Sequence, residues 1–240
     1  YGNLPGEGKK YALYRDEYRA AQLVWAAEND AEDAYNDLMM HYTGTRAGRV
    51  HLAKEAERHY QQIVPLLASS SSFRLHLSGR LLHMTALAYH GDHAAALRCC
   101  EEAIAFFEAK PFLSVAPLQA FYYQAIVCCI QLRNFQRGQE FIASQQAVCE
   151  EGSYNWFKFQ ELLFILGMHT QQYDAAFAVQ EVVLNHRRFG QMPDDQQETW
   201  KIYAAYAHYL AHIGRVNAPE GTKKFKLAKF LNEVPAFSQD

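Results

Sequence analysis

The chain has 240 residues, half of them hydrophobic and 14% aromatic, which is ample material for an extended core. Charged residues are 20% and mixed in sign, with a formal net charge of −3 and an isoelectric point near 6.4. That balance excludes a general nucleic-acid binder, which needs a basic footprint to release counterions. No apolar run approaches the ~20 residues of a membrane span.

In chain order, Tyr11, Tyr14, Tyr18, Ala21 and Trp25 recur at three- and four-residue steps, one stripe of an amphipathic helix. The register falters at Glu28-Asn29-Asp30 and resumes at Ala34, Leu38 and Tyr42. Residues 9–42 therefore read as two helices or as one long helix with an exposed middle. Thr43-Gly44-Thr45 ends this stretch, because glycine relieves a helix C-terminus. A second helix is predicted from about 46 to 68, striped by Ala53, Ala56, Tyr60, Ile63, Val64 and Leu67, with Pro65 near its end. Residues 1–72 thus form an N-terminal helical hairpin. Ser69 to Ser72 is a polar link able to cap the next helix.

Helix pairs follow at about 73–90 with 92–109, 117–132 with 135–150, and 153–170 with 173–188, then a helix at about 194–213. Pro111, Pro117 and Gly152 punctuate the links, and Pro219 and Gly221 interrupt the last pair. No period-two run is long enough for a strand. One phrase recurs at the turns: Tyr89-His90-Gly91-Asp92-His93, then Leu132-Arg133-Asn134-Phe135, then Thr170-Gln171-Gln172-Tyr173, and in part Ile213-Gly214-Arg215-Val216. A recurring helix–turn–helix unit is the mark of an α-solenoid, whose units bury their apolar faces only by stacking. The predicted class is all-α, with residues 73–240 built of antiparallel helix pairs, one array with the hairpin. Ala96, Ala103 and Ala176 are expected at close helix contacts.

At these residues the chain resembles the tetratricopeptide repeats. Gly91, Ala96 and Ala103 match that family's spacing of small residues, as do Tyr173 with Ala176 and Tyr203 with Gly214. From His93 to Phe135 is 42 residues, on to Tyr173 is 38, and on to Val216 is 43. The family period is near 34, so the links are lengthened, and a HEAT- or armadillo-like array is the runner-up. The segment Lys224-Phe225-Lys226-Leu227-Ala228-Lys229-Phe230-Leu231 resembles one in uncharacterised bacterial helical-repeat proteins that continue through further helices. It carries no functional residue across.

The search for chemistry is largely negative. Gly6-Glu7-Gly8-Lys9-Lys10 lacks phosphate-loop spacing, and there is no Gly-x-Ser-x-Gly elbow and no calcium loop. Cys99, Cys100, Cys128, Cys129 and Cys149 have no Cys-x-x-Cys spacing and read as small core hydrophobes in a reducing cytoplasm, a regulatory disulfide being the minor alternative. His208 and His212 stand at i and i+4 on one helix face, as two metal ligands would, but position 209 is tyrosine where metalloprotease helices carry glutamate. Expected, therefore, are no metal and no cofactor.

Stacked first helices line the concave wall of a solenoid. The repeat frame puts Tyr89, Tyr123, Gln131, Lys158, Glu161, His169, Lys201, His208 and His212 on that wall, with Thr85, Val127 and Ile165. Rings among scattered polar groups suit a protein or peptide partner. The expectation is a non-enzymatic binding scaffold in the cytoplasm, without nucleic acid or membrane. Two alternatives stand: a metal-dependent hydrolase at His208 and His212, and RNA binding through Lys223, Lys224, Lys226 and Lys229. The stripe Leu227, Phe230, Leu231 and Val234 predicts a helix over 225–234 packed on 194–213. Its outer side would be covered by further repeats or by a second copy of the chain.

Overall fold

A single turn geometry closes four helices. In the computed structural model, residues 91, 133, 171 and 214 are all left-handed, with φ of 85°, 56°, 59° and 71°. The amide of each donates to the carbonyl three residues back, and the next amide to the carbonyl five residues behind it. The pairs of bonds are 3.1 and 3.1 Å at Gly91-Asp92, 3.1 and 2.8 Å at Arg133-Asn134, 3.3 and 2.8 Å at Gln171-Gln172, and 3.1 and 2.9 Å at Gly214-Arg215. This double bond around one left-handed residue satisfies carbonyls that the helix end leaves open. The four recurring phrases of the sequence are four copies of one motif.

The structure describes residues 7–41, 45–111, 115–146 and 148–216. Thr43-Gly44, the link at 217–222 and the expected lysine-bearing helix at 225–234 lie outside them. The described residues form helices and no strand: α1 (Glu7–Met40), α2 (Arg46–Leu67), α3 (Phe73–His90), α4 (His93–Glu108), α5 (Val115–Gln131), α6 (Phe135–Gln146), α7 (Tyr154–His169), α8 (Tyr173–Leu184) and α9 (Asp194–His212), with a 3₁₀ turn at Phe189–Gln191. Consecutive helices pack as antiparallel pairs. Helix starts follow their caps: Thr45, Ser72, Asp92 and Ser153 each accept a bond from the amide three residues on.

The chain divides into two compact units, Tyr1–Phe121 and Tyr122–Asp240. In the first, Ala31, Ala56, Ile63, Leu75, Leu82 and Ala86 make the core of α1, α2 and α3. α3, the first helix after the expected hairpin, packs on both helices of that hairpin. Ser72 donates to Glu28, and Arg74 meets Glu32 at 2.5 Å, tying the start of α3 to α1. Phe107 of α4 stacks on Phe121 at 5.7 Å. In the second unit the core gathers Phe157, Phe164, Ala176, Val183, Met192 and Trp200 from α7, α8, the following link and α9.

Small residues set the helix spacing. Four residues after the left-handed turn residue plus one come Ala96, Gly138 and Ala176, all buried. A Cβ on Gly167 would come 3.0 Å from that of Ala176, and one on Gly138 would touch Cys129 and Leu166 at 3.4 Å. Ala103 is likewise fully buried. Cys99, Cys100, Cys128 and Cys129 are buried too, and none of the five cysteines is in a disulfide.

α1 differs from the expectation of an exposed middle. It is one helix whose first half is exposed: from residue 8 to 23 only Ala12 is even half-buried. Burial begins with Val24 and Ala27 and continues through Ala31, Ala34, Tyr35 and Leu38. At 3.6 residues per turn this buried stripe lies roughly 140° around the helix from Tyr11, Tyr14, Tyr18 and Trp25. The register falters at Glu28 because two different faces meet there.

Arg133 and Gln171 are exposed, so their left-handed backbone is a local strain with no packing to compensate it. Arg133→Gly and Gln171→Gly are each expected to stabilise the chain by roughly 0.5–1 kcal/mol in urea unfolding. Gly91→Ala is expected to cost about 1 kcal/mol, although a Cβ there meets nothing within 4 Å. Equal effects of the three changes would contradict a shared turn geometry.

Candidate functional site

Alternate helices of the second unit are joined by a belt of polar and aromatic side chains. Tyr123 on α5 meets Phe159 on α7 edge to face at 6.3 Å. Lys158 on α7 sits 5.8 Å from the Tyr123 ring centre, close enough for cation–π attraction. The same ammonium contacts Glu161 one turn on at 2.5 Å and donates to Gln196 of α9 at 3.3 Å. Tyr203 of α9 donates its hydroxyl to the other Glu161 oxygen at 3.1 Å. One carboxylate thus bonds a lysine of its own helix and a tyrosine of another.

The local sequence explains the placement. On α7, Phe157, Phe164 and Gly167 are buried, which turns Lys158, Glu161 and Ile165 to the edge of that face. On α9, Trp200 and Ala207 are buried, and Gln196 and Tyr203, seven residues apart, share one face and reach α7. Trp200 packs on Phe164 at 5.8 Å and so fixes the rotation of α9.

Burial and charge act together on this cluster. The Lys158 and Glu161 side chains are only 18% and 13% exposed. Burial works against the Lys158 ammonium, but Tyr123 and Glu161 outweigh it and hold its pKa above the usual lysine value. Burial, followed by the charge and hydrogen bond of Glu161, pushes the Tyr203 hydroxyl far above its ordinary range. Burial also raises Tyr123, against the pull of Lys158. The network is built to keep both phenols neutral and the lysine charged.

Of the residues expected on a binding wall, Tyr123, Lys158 and Glu161 come together here. Lys201 is exposed on α9, and His208 is half-buried with His212 exposed one turn further. Gln131 is the exposed last residue of α5. His169 ends α7, exposed and stacked on Phe135 at 5.6 Å. Tyr89, half-buried in α3, belongs to the first unit, as does buried Thr85. Gln196 is a member the sequence did not single out, and Tyr203 was singled out only as a repeat position. The usable signal was their shared helical face with Trp200.

Around the second and third left-handed turns of this unit, Gln171, Tyr173 and Asp174 face Gly214, Arg215 and Val216 across an open cleft of about 400 Å³. Among the described residues no three His, Cys, Asp or Glu side chains group in a way that would hold a metal ion. Among them, too, no helix is long and apolar enough to cross a membrane. In the first unit His83 of α3 stacks flat on Tyr60 at 4.2 Å and lies 3.6 Å from the Cys99 sulfur, where burial lowers its pKa. No family model, no curated protein and no solved structure matches this chain.

Two outcomes follow from the belt. Lys158→Met strands a part-buried carboxylate and is expected to cost roughly 1–3 kcal/mol, whereas Lys158→Met with Glu161→Leu recovers most of the loss. A double variant as unstable as the sum of the singles would contradict the coupling. For pH, the raised values of Lys158, Tyr123 and Tyr203 mean that their stabilisation is complete below the unfolded pKa values, near 10, and is lost as pH rises above them. The thermal midpoint should therefore fall above about pH 10, and less steeply in Tyr203→Phe.

Proposed function

We propose that this chain is a non-enzymatic scaffold that binds an extended protein segment along α5, α7 and α9. The observation that carries the reading is the belt itself. Tyr123, Lys158, Glu161, Gln196 and Tyr203 connect alternate helices, the arrangement expected of first helices lining one wall of a tetratricopeptide-like array. Fold class alone does not establish function. The chemistry of the wall adds to it: half-buried rings and a fixed ion pair join the three helices, with exposed Tyr206 one turn beyond Tyr203 and exposed Gln131 at the end of α5. Rigid rings give contact area at low entropic cost, and the exposed polar groups supply hydrogen bonds to a peptide backbone.

A hydrolytic role at His208 and His212 has two imidazoles on one helix and no third donor grouped with them among the described residues. The RNA reading depends on lysines outside the described residues.

The test is selection from a displayed library of extended peptides against the whole chain. Wild type should enrich one family of sequences. Tyr206→Ser, at an exposed position one turn beyond Tyr203, should weaken binding of an enriched peptide at least about tenfold without moving the melting temperature. An equal loss from Glu181→Lys on α8, with none from Tyr206→Ser, would contradict the assignment of the wall.

A further inference from the structure

The first half of α1 presents an apolar seam that its own unit does not cover. Tyr11, Tyr14, Tyr18 and Trp25 are 57%, 65%, 63% and 64% exposed, on a helix whose opposite face is buried from Val24 onward. With Ala21 they step 3, 4, 3 and 4 residues along the helix. That is the a/d spacing of a coiled-coil seam, whose natural complement is another helix carrying the same pattern. An isolated helix of this length is marginal in water, so the seam has a reason to be covered.

We propose that this seam joins two copies of the chain, α1 against α1, antiparallel. Side-chain size and charge both select that direction. Setting Tyr14 against Trp25 of the second copy sets Tyr18 against Ala21, large against small in each central layer. A parallel pair would put Ala21 on Ala21 and leave a void between rings. The second half of α1 carries Glu28, Asp30, Glu32, Asp33 and Asp37 and no basic residue, whereas the first half mixes Glu7, Asp16 and Glu17 with Lys9, Lys10, Arg15 and Arg19. A parallel pair stacks the acidic stretch on itself, and an antiparallel pair sets it beside the mixed half.

The area fits a reversible dimer. Four rings of this exposure offer on the order of 130 Å² each, so a symmetric pair covers roughly 1,000 Å², the lower bound for a specific interface. An interface of this size is typical of weak, reversible association. Dimerisation places two copies of the proposed binding wall in one particle, but it stands on α1 alone and does not depend on that wall.

Sedimentation equilibrium of the whole chain tests it. Between about 1 and 200 µM the mass should rise from the 27.5 kDa of one chain toward twice that value. Tyr18→Arg and Ala21→Arg, each on the exposed face, should weaken association at least about tenfold while leaving circular dichroism and melting unchanged. Ala21→Tyr should weaken it by setting ring on ring, and adding Tyr18→Ala should restore large against small, whereas in a parallel pair Ala21→Tyr fills the void and strengthens association. A single-chain mass at every concentration overturns the proposal, as does a dimer indifferent to Tyr18→Arg and Ala21→Arg. A monomer that floats with anionic vesicles through this seam overturns it as well, by assigning the face to a lipid surface. Association strengthened by Ala21→Tyr, or weakened without rescue by Tyr18→Ala, overturns the antiparallel arrangement.

Discussion

The left-handed turn at residues 91, 133, 171 and 214 is the constraint on which each unit depends. It reverses the chain within two or three residues, so the next helix must run back against the one just ended. The first residue of that helix able to touch its predecessor is then Ala96, Gly138 or Ala176. A larger side chain at Ala176 pushes the helices apart, since even a Cβ added to the facing Gly167 would come 3.0 Å from that of Ala176. Turn and small residue are one device in two parts. The first fixes the direction of the return and the second fixes its distance.

Once direction and distance are fixed, burial decides what is left for function. A helix packed on two sides has little surface to spare, and α7 shows how it is used. It packs on α6 and α8, Phe159 and Phe164 reach rings of α5 and α9, and Lys158 and Glu161 are left at the edge between them. Burial there would penalise a lone charge, and the belt answers by bonding Lys158 to Glu161 and Gln196 and Glu161 to Tyr203. The helix positions are therefore locked by polar bonds as well as by core. α1 shows the opposite outcome. Only its second half is held in the core, and its first half keeps an aromatic seam that faces solvent.

Most of the helix pattern was legible in the sequence because turns and caps are local chemistry. Gly91-Asp92 announces both a left-handed stop and an N-cap, and Ser72 caps the helix that follows it as expected, while the Ser153 cap came from the structure. The ends of α6 and α8 came earlier than the pattern implied, since Asn185 closes α8 and the chain then enters a 3₁₀ turn at Phe189. Tyr123, Lys158 and Glu161 were legible through helical spacing as residues that come together. Gln196 was not, because its role depends on how α9 is rotated, and buried Trp200 fixes that rotation through packing on Phe164. The two faces of α1 were visible only as a broken register. Spacing reports that two stripes exist, but only tertiary contact reveals which of them is buried.

Hydrogen–deuterium exchange of the whole chain, alone and with a selected peptide, tests the central claim most directly. The account predicts that bound peptide slows exchange in α5, α7 and α9, around residues 123–131, 158–169 and 201–212, and leaves α6 and α8 unchanged. Protection that appears on α6 and α8 instead, with none on α5, α7 and α9, would contradict it.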